Sequence, residues 1–196
     1  MASIIELLVI LFSSFGLNLI PFAGPSNLLI ASTAALSIVD ADPVTLVAVG
    51  FLVALGAALA KSIHYVVTFL VSEHLSEERR QRLDADALKV KRWAFLLLFA
   101  AAVTPIPDEP IVIPMGLMKY SLKKFFTAFF LGKLLICIVG AFLGSWTKSA
   151  LSEWLSTDVM IVLSIVLTIV VTVILLKVDM GKLMEKIFRR KIALPQ

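Results

Sequence analysis

Residues 104–116, TPIPDEPIVIPMG, place Pro105, Pro107 and Pro110 and the adjacent carboxylates Asp108 and Glu109 inside a long apolar run. The run is WAFLLLFAAAV on one side and IVIPMGLM on the other. A helix needs about 20 apolar residues to span a bilayer, and an apolar run of about 10–14 suits a re-entrant segment. The expectation is a chain that enters a membrane, breaks at residues 105–110 and returns to the side it came from. Non-helical backbone at that depth is tolerated only when buried in protein or lining a wet cavity. The break is therefore the first place to look for a functional site.

Composition supports the membrane setting. The 196 residues are 60% hydrophobic, which indicates an integral membrane protein of one domain. The first residues, MASIIELLVILFSSFG, carry neither a basic leader nor a small-residue cleavage site, so they are expected to be retained. Two scattered histidines and the lone Cys137 provide neither a zinc site nor an intrachain disulfide. No nucleophile triad, metal motif or nucleotide loop is present, so neither an enzyme activity nor a cofactor is expected. The net charge of +4 is concentrated in one loop and the tail. It is read as membrane orientation, with no nucleic-acid partner.

The chain repeats one pattern twice. The first repeat, 1–72, is a hairpin over 4–39 broken by Pro21, Gly24 and Pro25, then a long helix over 44–72 holding Gly50, Gly56 and one charge, Lys61. A basic loop over 73–92 follows, whose HLSEERRQRL stretch has helical acid–base spacing. The second repeat, 93–147, is a hairpin over 93–118 broken by Pro105, Pro107 and Pro110, then a helix over 122–147. That helix holds Gly132, Gly140, Gly144 and again one charge, Lys133. A final span over 158–177 leads to a basic tail, 178–196, patterned as an interfacial helix.

Lysine and arginine placement sets the orientation. With the 73–92 loop in the cytoplasm, a re-entrant second hairpin keeps Lys119, Lys123 and Lys124 there too. Lys148 then lies outside beside Glu153 and Asp158, the N-terminus is outside, and the C-terminal tail is cytoplasmic. The alternative, one kinked span over 93–118, moves Lys119–Lys124 outside and breaks the rule. The expected fold is thus an all-α integral membrane protein of the plasma membrane. It is an inverted repeat in which two re-entrant helical hairpins enter from opposite faces, the architecture of many secondary transporters.

In the order of these elements, residues 20–145 resemble the DedA/VTT family, membrane proteins also labelled SNARE-associated. That family carries a proline–glycine–acid motif in its first hairpin and a second proline motif of the form F-[IV]-P-G further on. Here PIPDEPIVIPMGLMKYSLKKFFTAFFLGK puts Pro107, Gly116, Phe125 or Phe126 and Gly132 in matching places. Two positions depart from the pattern. GPSN stands where many members have a glutamate, and Thr104 stands where an arginine is usual. The resemblance implies facing re-entrant hairpins and movement of lipids between leaflets, either phospholipid or a polyprenyl-phosphate carrier. It also implies dependence on the proton gradient.

The candidate site residues each have a plain reading beside the functional one. Asp108 as an N-cap with Pro110 at N1 would stabilise a helix start by about 1 kcal/mol. Two adjacent carboxylates exceed what a cap requires, and one of them, Glu109 in preference, is expected to titrate or to bind a cationic group. Lys133 lies eight residues past Phe125 in its helix, about 12 Å at 1.5 Å per residue, too deep to snorkel easily. It is read as an ion-pair partner of Asp108 or Glu109, as a phosphate ligand, or as both. Lys61 sits near the same depth with Tyr65 and Thr68 on its face and His64 close by. Asn18, Ser26 and Asn27, with free backbone N–H groups, either receive an anionic head group or belong to a packed turn. The expected partners are membrane lipids, with a homo-oligomer allowed. The competing functions are a proton- or ion-coupled carrier of a small solute, and a structural membrane protein that recruits a partner.

Overall fold

A computed structural model describes residues 2–21, 24–39, 41–77, 92–104, 108–151, 155–156, 158–163, 165–166 and 170. Pro105 and Pro107, most of the 73–92 loop, much of the 158–177 span and the whole 178–196 tail lie outside them. The elements are α1 (Ile4–Asn18), α2 (Asn27–Ser37), α3 (Pro43–Glu73), α4 (Ala94–Val103), α5 (Glu109–Leu117) and α6 (Leu122–Leu151). No strand occurs among the described residues.

Local chemistry fixes several helix starts. At α1, Ser3 and Glu6 form a reciprocal capping box, with Glu6 N–H donating to Ser3 Oγ and Ser3 N–H to Glu6 Oε2 at 2.7 Å. At α3, Asp42 accepts from the Thr45 amide at 3.1 Å and from the Thr45 hydroxyl, ahead of Pro43 in the first turn. The start of α5 differs from the sequence expectation. Asp108 occupies the cap position without making a side-chain cap bond, and Glu109 rather than Pro110 is the first helical residue. The Asp108 carboxylate is engaged elsewhere.

The contacts give each helix a direction. Gly50 lies against Ile138, while Tyr65 packs on Phe125, so α3 and α6 run antiparallel. Along α1, Ser14 meets Val53 and Leu19 meets His64, so α1 runs with α3. Along α2, Leu28 meets Gly140 and Leu36 meets Lys148, so α2 runs with α6. The chain therefore reverses between α1 and α2. Glu109 meets Lys61 and Gly116 meets Thr68, so α5 runs with α3. Ala94 and Leu98 of α4 cluster with Phe125, Ala128 and Phe129, and Ala102 lies against Gly132, so α4 runs with α6. A second reversal thus separates α4 from α5.

These directions define an inverted two-fold arrangement. The first limb of each hairpin packs on the long helix of its own repeat, α1 on α3 and α4 on α6. The second limb crosses to the other repeat, α2 on α6 and α5 on α3. Close approach depends on absent side chains. A Cβ at Gly132 would stand 2.6 Å from Phe99 O, and one at Gly140 would stand 2.5 Å from Leu28 O. Such small-residue contacts let helix backbones pack in a setting where apolar burial supplies little drive.

Only α3 and α6 are long and apolar enough to cross a membrane among the described residues. Their outward faces are apolar, with Phe51, Ile63 and Val67 on α3 and Leu135, Val139 and Trp146 on α6 all exposed. The buried set instead includes Lys61, Asp108, Glu109 and Lys133. Apolar outside and charged inside is the reverse of a water-soluble domain, and it fits a lipid solvent.

Candidate functional site

Both hairpin turns end at the same level of the bundle, between one turn of α3 and one turn of α6. On α3, Lys61 Nζ contacts Glu109 Oε1 at 2.5 Å, and one turn on, His64 Nε2 lies 3.0 Å from Leu19 O. On α6, Lys133 Nζ contacts Asp108 Oδ2 at 2.8 Å and Oδ1 at 3.1 Å. One turn on, Cys137 Sγ faces Asn27 O at 3.8 Å. Each long helix thus holds both turns, with the charged contacts on the second hairpin and the neutral ones on the first.

The four ionic groups are almost sealed from outside, with Lys133 2%, Lys61 4%, Glu109 4% and Asp108 6% exposed. Lys61 is twelve residues from the Glu73 end of α3, and Lys133 eleven from the Leu122 end of α6. At 1.5 Å per residue both stand about 16–18 Å from the same end of the bundle. Lys133 also lies 5.3 Å from the centre of the Phe129 ring, a cation–π contact. A buried ion pair of this kind is weak evidence for stability, since an apolar pair of equal volume is often as good. Ionisable residues inside a membrane bundle mark substrate or ion paths.

The first hairpin is closed by amides. Asn18 Nδ2 donates to Asn27 Oδ1 at 2.9 Å, and Asn27 Nδ2 returns a bond to Asn18 Oδ1 at 3.0 Å. Asn18 also donates to Ser14 O at 2.8 Å, and Ser14 Oγ donates to Val53 O at 2.7 Å. Asn18 and Asn27 are therefore paired with each other across the reversal. Ser26 stands apart from this pair, since its hydroxyl is buried with no hydrogen-bond partner. His64 turns its Nε2 to the Leu19 carbonyl rather than to Lys61, and its Nδ1 is buried without a partner.

The proline breaks are placed in part. Pro21, Gly24 and Pro25 lie in the reversal between α1 and α2, and Pro110 lies in the first turn of α5. Pro105 and Pro107 fall outside the described residues. Beyond the turns, Tyr65 donates its hydroxyl to Tyr120 O and Gly116 rests on Thr68, which together hold the far end of α5 against α3. Ser14 is a site residue that the sequence did not single out. Its signal is the four-residue spacing to Asn18, which stacks both on the face of α1 turned to α3.

Among the described residues no group of three or more His, Cys, Asp or Glu is placed to hold a metal ion. The arrangement sets two ion pairs on consecutive residues. It offers two ammonium groups on the long helices and two carboxylates at the start of α5.

No curated protein and no solved structure matches the chain. A family model for the VTT domain matches residues 24–146, from the end of the first reversal through α2, α3, α4 and α5 and along α6 beyond Lys133. With more than half of its length covered by that match, this all-α membrane protein belongs to the VTT-domain family, also known as DedA or SNARE-associated.

Proposed function

We propose that this chain is a membrane lipid translocase of the plasma membrane. In it the two hairpins dip into the bilayer from opposite faces, N-terminus outside, and the paired charges at the second turn receive a lipid phosphate. One observation carries the reading. Two hairpin turns approaching from opposite ends of an antiparallel helix pair lie at one level, and four sealed charges join the second turn to both long helices there. Four ionic groups at this depth are costly to retain where apolar residues would pack as well. A lipid phosphate offers each lysine an oxygen acceptor in place of its carboxylate, and lysine is an established point-charge ligand for phosphate. The apolar outer faces of α3 and α6 leave the lipid tails in the bilayer while the head group crosses.

The test is purified protein in vesicles whose labelled phospholipid or polyprenyl phosphate starts in one leaflet. Wild type should equalise the leaflets, while Lys61→Met and Lys133→Met should each slow movement by about 30-fold or more, as for unpairing a buried charge. Equal rates for wild type and for Glu109→Gln combined with Lys133→Ala would remove these residues from the mechanism. Flux of a small solute with no lipid movement would replace the reading with a solute carrier.

A further inference from the structure

Three of the four hairpin limbs are seated on a glycine of a long helix, and α5 is not. Under α1, a Cβ at Gly56 would stand 2.7 Å from Leu11 O, and under α4, one at Gly132 would stand 2.6 Å from Phe99 O. Under α2 the seat is continuous. Leu28 O rests on Gly140, Ser32 O rests on Gly144, and Leu36 O accepts from the Lys148 amine at 3.1 Å. These contacts recur every four residues along both helices, on one face of each. Ser32 Oγ adds a bond to Gly140 O at 2.7 Å. The second limb of the first hairpin is therefore fastened at its start, middle and end.

The second limb of the second hairpin is fastened differently at its two ends. At the far end Gly116 lies against Thr68 and Tyr65 O, and Met115 is buried. Tyr120 N–H donates to Met115 O and Lys119 N–H to Gly116 O, each at 3.0 Å, with Lys119 left-handed at φ 49°. That paired closure satisfies the last carbonyls of a helix. Tyr120 O then accepts the Tyr65 hydroxyl, and the Lys119 amine stands 3.6 Å from Glu73 Oε1 and 5.2 Å from the centre of the Phe69 ring. The start of α5 is held by the ion pairs to Lys61 and Lys133 and by the buried side chain of Val112. Apolar contact inside a bilayer supplies little drive, because lipid tails replace it. The charges can be taken over by those of a ligand. Between the two ends stands Pro114, which has no N–H to give Pro110 O, so the helix ladder is interrupted there.

Taking the translocase reading as our basis, we infer that the site opens through one hairpin alone: residues 108–113 swing away from Lys61 and Lys133 about Pro114, while residues 115–120 and all of α2 stay in place. An inverted repeat would allow both hairpins to move alike, and the unequal seating of α2 and α5 breaks that symmetry. Tyr65 is then a positioning residue, holding through Tyr120 O the fixed part from which the first turn swings.

Hydrogen exchange of the wild-type protein in vesicles reads the swing without any transport. The Ile111 and Val112 amides, which donate to Asp108 O at 3.0 Å, should exchange about ten-fold or more faster than those of Met118 and Tyr120, and than that of Ile30 at the start of α2. Equal protection at the two starts overturns the inference whether or not lipid moves. Pro114→Ala supplies the missing N–H. It should raise protection of Ile111 and Val112 and slow the movement of labelled lipid several-fold, and a wild-type rate in this variant also overturns the swing. In a Cys137→Ser background, Glu73→Cys and Lys119→Cys joined by a short bifunctional thiol reagent fix the far end and should leave the rate unchanged. A block would show that the far end travels, against the inference. If the exchange difference is found and the wild type moves no lipid, the swing stands and the translocase reading falls.

Discussion

Asp108 and Glu109 are consecutive residues whose carboxylates part company. Glu109 reaches Lys61 on α3 at 2.5 Å, and Asp108 reaches Lys133 on α6 at 2.8 Å. The start of α5 therefore ties the two long helices together through charge. Removing one member strands the other, so Lys61→Met or Glu109→Gln alone should destabilise the fold by about 3–5 kcal/mol. The double variant Lys61→Met with Glu109→Leu should recover most of that loss while remaining inactive in lipid movement. A double-mutant cycle by unfolding in detergent checks this. Additive losses would show that the pair is not coupled.

The amide pair of the first hairpin is neutral at every accessible pH. Asn18→Ala or Asn27→Ala leaves the other amide buried and short of a partner, at about 1–3 kcal/mol each. The double variant should cost less than the sum, because the orphan is gone. Thermal unfolding of the four proteins of the cycle gives the coupling. A sum equal to the singles would contradict the reciprocal bonds at 2.9 and 3.0 Å.

Gly116 is a contact point without room for a methyl group. A Cβ there would fall 1.8 Å from Thr68 Oγ1 and 2.7 Å from Tyr65 O. Gly116→Ala should cost about 1–3 kcal/mol by overpacking and should loosen α5 from α3. Adding Thr68→Ala removes the first clash but not the carbonyl, so rescue should be partial. Hydrogen exchange of the α5 amides reads the loosening directly, and unchanged protection would refute it.

At the start of α3, the Thr45 hydroxyl and then the Thr45 amide hold Asp42 below its ordinary value of 3.8. A carboxyl whose folded pKa is depressed contributes stability that is complete above its unfolded value and is lost as pH falls through the folded one. The helix start should therefore weaken below about pH 4. Asp42→Asn keeps a capping oxygen with no titration, so its unfolding midpoint should stay flat over the same acid range. A parallel acid decline in the variant would exclude Asp42 as the cause.

Lys123 and Lys148 mark opposite ends of α6, about 38 Å apart at 1.5 Å per residue. In a Cys137→Ser background, Lys123→Cys and Lys148→Cys should react with a membrane-impermeant thiol reagent from opposite sides. Labelling of both from one side would overturn the crossing of α6.

The parts of this fold that can be read from the chain are those that offend their surroundings. Prolines within apolar runs announced the two breaks, and Lys61 and Lys133 stood out as single charges in long apolar helices. Partner choice was not readable. Successive residues of a helix project about 100° apart, so which lysine Asp108 or Glu109 meets depends on how α3 and α6 cross. Ser14 was passed over because a small hydroxyl in a helix commonly bonds its own backbone; its bond to Val53 O exists only once α1 packs on α3. The amine of Lys148 donates to Leu36 O and Ile38 O at 3.1 and 2.9 Å, which the sequence did not suggest. A charge pattern does not display the free carbonyls at a helix end. Ser26 was expected among the ligand-binding groups because it is polar and opens a helix. Its side chain bonds nothing that the hairpin offers.

The exchanged second limbs have a consequence for how the protein is made. Residues 27–37 leave the ribosome long before 122–151, yet the groove in which α2 lies is the surface of α6. Until that later helix arrives, the carbonyls of Asn27, Leu36 and Ile38 lack the Cys137 and Lys148 groups that meet them, and the nascent first half waits in the bilayer with one face of that limb unsheltered. The N-terminal half thus completes its packing only after the second repeat has been made. If the two repeats are expressed as separate polypeptides, each should be degraded when made alone and both should persist when made together. Survival of the N-terminal half by itself would show that α2 finds shelter elsewhere.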